Sequence, residues 1–356
     1  MILNTRHRQF EEEFYKNIKL DKDITEEKLA SLYMKALINI VEKTSPATFK
    51  SHVDEMPLAL KEERSEIEEF EKRLINTWRN AFDCLEILTM ISETISTAYF
   101  DEEDSEDGFL EEIDFLLKIH SKSIVIAKEV SVLLASGFVD GAMARWRSLH
   151  EANVIFHILA STFQTDREMF SKIKKRFLDY SIVDEYKRFV PNKNIKKEIE
   201  IKKNINARFR KVKEKYGSNF GKQHGWAYPL FPKNKEENII LFRDLEKLAD
   251  YENIQPYYKE ANHHVHISSL GINESLSFMP FYDNSTTYLY GPSNYGLSKP
   301  GQLTSNSLVQ ITTKLLLIKP NMDKFIFIKV LLSFAEKGNS EFNEIQQTIK
   351  EEELKS

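Results

Sequence analysis

Along most of this chain apolar side chains return every three or four residues, the period of a helix that buries one face. Leu29, Leu32, Tyr33, Ala36, Leu37, Ile40 and Val41 form the first such stripe, behind the cap signal Asp23-x-x-Glu26, and Ser45-Pro46 is read as its end. A second helix is expected from about Leu58 to Tyr99. Its charged first half, KEERSEIEEFEKR, suits solvent, and its second half turns Phe82, Leu85, Leu88, Ile91 and Ile95 inward. A third, from Leu110 to about Ser136, carries Ile119, Ile124, Ile126, Val130, Leu133 and Leu134. After Gly137, the run from Ala142 to Leu159 has neither proline nor glycine and is read as one helix, and Phe163 to Tyr186 continues helically. The pattern breaks at GSNFGKQHGWAYPLFP, a loop, and resumes near Asn238 and again from Ile254. Ser275 to Tyr290 reads as two short strands around Asp283-Asn284, followed by a turn-rich loop to Gly301. Helices from about Leu303 to Ile318 and Asp323 to Ala335, then a peripheral one from Ser340 to Leu354, end the pattern.

These elements predict an all-α bundle of long helices with one short β-hairpin or loop insertion near 275–302. Three parts are expected: a helical extension over 1–58, a main helical domain over 59–337, and a peripheral C-terminal helix over 338–356.

The segment GFVDGAMARWRSLHEANVIFHIL, from Gly137 to Leu159, concentrates the unusual side chains. At about 100° per residue, Leu149, Ala152, Ile155, Phe156 and Leu159 share one face. Trp146, Arg147, His150, Glu151, Asn153 and His157 share the other, together with Met143, Val154 and Ile158. A face that mixes imidazoles, ions and apolar groups implies a covered polar surface, the wall of a pocket or an interface.

Composition narrows the class. With 41% hydrophobic residues and a formal charge of −5 over 356 residues, the chain is not coated with positive charge. Cys84 is the single cysteine, which excludes an internal disulfide framework and a cysteine-cluster zinc site and suits a reducing cytoplasm. It sits with Leu85 and Leu88 and is read as a core residue. MILNTRHRQFEEEFYKN has no apolar signal core, and no stretch approaches the roughly 18 uncharged apolar residues of a membrane span. A cytoplasmic protein without membrane contact is expected.

Pro191 to Tyr216 carries ten Lys or Arg against three Glu. Lys196, Lys197, Lys202, Lys203, Arg208 and Arg210 form a candidate nucleic-acid face, since a basic helix can follow a phosphate backbone; the bland alternative is a solvated arm. The acidic run DEEDSED, Asp101 to Asp107, lacks the glycine and spacing of a calcium loop and reads as a solvated turn.

Three motifs carry a resemblance. The string from Gly137 to Val154, the pair Tyr257-Tyr258 leading to His264-Val265-His266-Ile267-Ser268, and the loop from Gly291 to Leu297 stand in the order seen in a bacterial and phage family catalogued as a domain of unknown function, DUF5677. The chain resembles that family over about Phe82 to Ser333. The resemblance implies an all-helical cytosolic protein and no particular activity.

The spacing Arg145-x4-His150 is similar to the active-site motif of HEPN-type helical ribonucleases, which work without metal. In such chemistry a His acts as general acid or base and an Arg stabilises charge on phosphorus. Arg145 and His150, however, fall about 140° apart on a helix, and Arg147 lies one turn from both His150 and Glu151. His264 and His266, with His263 beside them, would face one way in an extended segment and can chelate a metal with Glu151 or His150. The plainer alternative is that these imidazoles satisfy buried polar partners. No phosphate-binding glycine loop, nucleophile elbow or dinucleotide fingerprint occurs, and no cofactor or resident metal is called for.

The leading reading is a toxin-like or phage-defence, metal-independent endoribonuclease acting on RNA. In it His150 and His266 are acid and base, Arg147 and Arg145 stabilise phosphate charge, and Glu151 orients a partner. Trp146, Asn153, His157, Tyr258, Asn262 and His264 would contact substrate. The competing reading is a non-enzymatic sensor or interaction protein with a polar ligand pocket; a metal-dependent hydrolase is third. Long amphipathic helices also suit a homodimer.

Overall fold

The structure, a computed structural model, describes residues 2–17, 24–102, 110–189, 199–232, 239–266, 269–273, 275–277 and 291–355. Among them the regular elements are helical, and no helix is long and apolar enough to cross a membrane. The chain divides into two compact units, Met1–Phe70 and Glu71–Ser356, with the boundary inside a helix.

In the first unit α1 (Ile2–Asn17) meets the first part of α2 (Glu26–Glu102) through Phe10, Phe14 and Tyr33, whose rings lie 5.0 to 5.7 Å apart. The stop expected at Ser45-Pro46 does not occur: Pro46 and Pro57 both lie inside α2. Proline removes one main-chain donor, and the helix-forming residues on either side keep the remaining ladder intact. Asp23, the expected cap, is outside the described residues. Thr25 takes its place, its hydroxyl accepting from Lys28 N at 3.4 Å.

The second unit is built around α4 (Val139–Thr165). α3 (Leu110–Ala135) and α10 (Ser298–Leu316) flank it, and α5 (Arg167–Phe189), α7 (Phe242–Leu248) and α8 (Gln255–Val265) cover what remains. Between α5 and α7 come α6 (Ile199–Tyr216) and two short 3-10 turns, Ser218–Gly221 and Gly225–Leu230; α9 (Ser269–Asn273) follows α8. Leu149, Phe156 and Leu159 are fully buried, and so are Trp146 and Asn153 on the polar side. α3 ends at Gly137, whose φ of 76° suits glycine. Gly137 N donates to Leu134 O at 3.0 Å and Phe138 N to Leu133 O at 2.8 Å, a double closure that satisfies the last carbonyls and aims the chain into α4.

α11 (Met322–Glu353) is one helix, where the sequence pattern suggested a break before Ser340. Gly338 lies within it, and a Cβ there would stand 3.0 Å from Cys84 Cβ, so the small residue lets α2 and α11 approach closely. The 338–356 segment is therefore packed rather than peripheral at Phe342, which is fully buried between Trp78 and Phe82. Gly301 of α10 faces the same ring, with its would-be Cβ 2.4 Å from Phe342 Cζ.

The β-hairpin is not seen: no strand occurs among the described residues, and most of the expected strand pair, including its turn at Asp283-Asn284, lies outside them. The described flanks are pinned to the start of α4. Asp140 accepts from Leu276 N at 2.9 Å and Ser275 Oγ at 2.6 Å, and Ser293 N donates to Gly137 O at 3.0 Å. Asp140 thus anchors a loop.

Candidate functional site

His150 sits mid-helix on α4, and its Nε2 lies 2.9 Å from Glu246 Oε1 of α7. Both side chains are 1% exposed. Trp146, one turn earlier, stacks on the imidazole at 5.4 Å, and the rings of Phe242, Tyr251 and Tyr258 close around it. The Trp146 indole N–H is shared by Leu303 O and Ser307 Oγ, each at 3.1 Å. A buried imidazole and carboxylate satisfy each other, and the aromatic cage excludes water from both.

One turn further round, Arg147 and Glu151 form an i,i+4 ion pair at 3.0 Å, with 28% and 37% of their side chains exposed. Tyr258 bridges them: its hydroxyl accepts from Arg147 Nη2 at 2.9 Å and donates to Glu151 Oε1 at 2.7 Å. Burial and the neighbouring Glu151 carboxylate push the phenol up to about 12, so Tyr258 stays a neutral bridge. Below them, Asn153 Nδ2 donates to Gln310 Oε1 at 2.8 Å. His157 Nε2 lies 2.9 Å from Tyr251 Oη and 3.3 Å from the Gln310 carbonyl. Burial lowers the His157 pKa to about 4, so the ring is neutral at pH 7.

The structure therefore gathers Trp146, Arg147, His150, Glu151, Asn153, His157 and Tyr258 into one connected network, and places the other candidates elsewhere. Arg145 turns to α3 and donates to Glu129. The segment expected to be extended is the last turn of α8 as far as Val265, so His264 and His266 do not share a strand edge. His264 Nδ1 lies 3.3 Å from Asp140 Oδ1, Asn262 is half-buried, and its carbonyl accepts from His266 N at 3.1 Å. The His266 side chain is exposed. Among the described residues no three His, Cys, Asp or Glu side chains converge as a metal site requires.

On the basic segment, Lys203, Arg208 and Arg210 are exposed, with Arg208 paired to Glu185 at 2.8 Å, and Lys202 is half-buried. Lys196 and Lys197 lie outside the described residues.

Glu246, Tyr251 and Gln310 were not singled out by sequence reasoning. Glu246 stands in FRDLEKL, which reads as an ordinary surface turn of helix, and nothing local marks its carboxylate as the partner of a histidine on another element.

Beyond Trp146 and Gln310 the network gives onto open space. A cavity of about 360 Å³ lies against Trp146, Gln310, Asn306 and Asn339, and shares Asn253, Ile254, Leu303 and Asn306 with a larger one of about 760 Å³. The larger cavity continues past Tyr257, Tyr295, Gln302, Asn343 and Gln346. Together they form a cleft between α10, α11 and the entry to α8. Among the residues that line it the charged ones are Lys299, held by Glu260 at 2.6 Å, and Glu336. Its polar surface is otherwise made of neutral amides, hydroxyls and phenols, which can exchange hydrogen bonds with a ligand and offer little to a charged one.

Fold and site define an all-helical protein with a buried polar network and an adjoining neutral cleft. The sequence model of a family of unknown function, DUF5677, matches residues 114–280, which takes in α4, α7 and α8 and leaves α10 and α11 outside the matched region. Comparison with curated proteins and with solved structures finds no match.

Proposed function

We propose that this protein is a non-enzymatic binding protein, a sensor or interaction module, whose site is the cleft between α10, α11 and the start of α8. The α4 network serves as the rigid wall behind it. One observation carries the proposal: His150 and Glu246 are closed to solvent at 1% exposure, whereas the cleft beside them is open and, apart from Lys299 and Glu336, its donors and acceptors are uncharged. A general acid or base must come within hydrogen-bond reach of the proton it moves, and a caged, paired imidazole does not.

The second reading is a metal-independent endoribonuclease with His150 and His266 as acid and base. It is favoured by the exposed cations of α6, Lys203, Arg210 and Lys211, beside which RNA can lie, and by the part-exposed Arg147.

Two measurements separate the readings. Thermal-shift titration of the full chain with nucleosides, neutral disaccharides and short capped peptides should give a saturable rise that Asn306→Ala abolishes; no rise with any of the three sets refutes the binding proposal. Incubation with total cellular RNA in EDTA should leave the RNA intact. Cleavage that disappears in folded His150→Ala and His266→Ala variants establishes the nuclease instead.

A further inference from the structure

On α10, Ser298, Gln302, Asn306 and Gln310 follow one another at intervals of four, each rung about 6 Å further along the axis and about 40° further round it, so that they form a slowly winding ridge. They line the cleft in that order, Ser298 and Gln302 in the larger cavity, Asn306 in both and Gln310 in the smaller.

α11 sets a second row against the first. Asn339 Nδ2 donates to Asn306 Oδ1 at 2.9 Å, and Gln302 Nε2 donates to Asn343 Oδ1 at 2.7 Å. Gln346 Oε1 accepts from Gly296 N at 3.0 Å. Two buried atoms of this row, the acceptor Asn339 Oδ1 and the donor Gln346 Nε2, have no hydrogen-bond partner.

An extended polypeptide repeats its main-chain pattern every second residue, about 6.6–6.8 Å, close to the spacing of the rungs. Each primary amide carries a donor and an acceptor, the complement of a peptide bond. From Ser298 to Gln310 the row is about 18 Å long, enough for about five extended residues. Asn339 and Gln346 are about 10 Å apart along α11, farther than the edge of one nucleobase or one sugar ring spans. With Lys299 already paired to Glu260, the cleft has little to hold a phosphate or a carboxylate.

We propose that this cleft binds an extended, uncharged peptide segment of about five residues through its main chain, with the amide rows of α10 and α11 reading successive peptide bonds. The assignment rests on the binding proposal above and names its ligand class.

The test uses the full chain and a library of acetylated, amidated hexapeptides of uncharged residues, followed by ligand-observed NMR and thermal shift. Saturable binding is expected. N-methylation of alternate peptide nitrogens should weaken it at least tenfold in one register and less in the other. Asn306→Ala and the exposed Asn343→Asp, each checked for native circular dichroism, should weaken it at least tenfold, whereas Lys329→Ala should leave it unchanged. Peptide binding that is indifferent to N-methylation or to the cleft variants overturns the proposal. Binding of nucleosides or disaccharides in place of peptides, with sensitivity to Asn306→Ala, also overturns it and leaves the cleft as a binding site. Failure of all three ligand sets overturns both.

Discussion

His150 of α4 and Glu246 of α7 stand 96 residues apart in the chain and meet at 2.9 Å with neither side chain open to water. Truncating one partner leaves the other buried without its ion-pair partner, Glu246 keeping only the long bond from Gln255 Nε2 at 3.4 Å, a loss of about 3–5 kcal/mol. His150→Ala and Glu246→Ala should each lower the unfolding free energy of the main unit by that order in urea titrations. The double variant should lose much less than the sum of the two, because the pair is a single interaction. Additive losses would mean that the two groups are not coupled.

Tyr258→Phe removes one oxygen and keeps the ring. The phenol bridges Arg147 and Glu151 at 2.9 and 2.7 Å, while the direct ion pair at 3.0 Å does not depend on it. A loss of about 1–2 kcal/mol is expected from the two bonds, with an unchanged fold by circular dichroism. A loss near zero would show that the bridge contributes nothing beyond the ion pair.

Acid should destabilise the protein through its buried imidazoles. His120 Nε2 lies 3.0 Å from Thr312 Oγ1, which in turn donates to Ser92 Oγ, and burial pulls the His120 pKa down to about 3. His157 is lowered to about 4, and His224 is lowered as well, burial being the leading cause in each. These groups bind protons in the unfolded chain near the usual histidine value of about 6.5 and bind them in the folded state only at lower pH. Their contribution is therefore present above about 6.5 and lost as pH falls towards the folded values, at about 1.4 kcal/mol for each pKa unit separating the two states. Melting temperature should fall from pH 7 to pH 4.5, and less steeply in His157→Gln. A slope unchanged by that substitution would remove His157 from the explanation.

Gly301→Ala tests the seam between α10 and α11. The added Cβ would stand 2.4 Å from Phe342 Cζ, and that ring is wedged against Trp78 and Phe82, 5.9 and 6.2 Å away. Overpacking of this kind costs about 1–3 kcal/mol, and it should be relieved in part by a second change, Phe342→Leu. Lower stability in the single variant, with recovery in the double, is the expected outcome in urea.

Much of this architecture was legible from local pattern. The three-and-four spacing of apolar residues marked α3, α4 and most of α2, and the stop at Gly137 was readable because a left-handed residue that closes a helix favours glycine. Pro46 misled, since a proline signals a break and the strength of the surrounding helix decides whether one follows. Gly338 shows a related limit: whether a glycine ends a helix or admits a neighbour depends on what packs there, in this case Cys84.

By itself the sequence determined that the chain is helical and that one helix carries a covered polar face. Each of these follows from side-chain order along a helix of known period. Only the tertiary structure decided the partners. Glu246 for His150, Tyr251 for His157 and Gln310 for Asn153 come from 96, 94 and 157 residues away, and no local periodicity encodes a contact between elements. The amide row of α10 illustrates the same division: on one helix Gln302, Asn306 and Gln310 look like a solvated stripe, and the packing of α11 against α10 turns that stripe into the wall of a cleft.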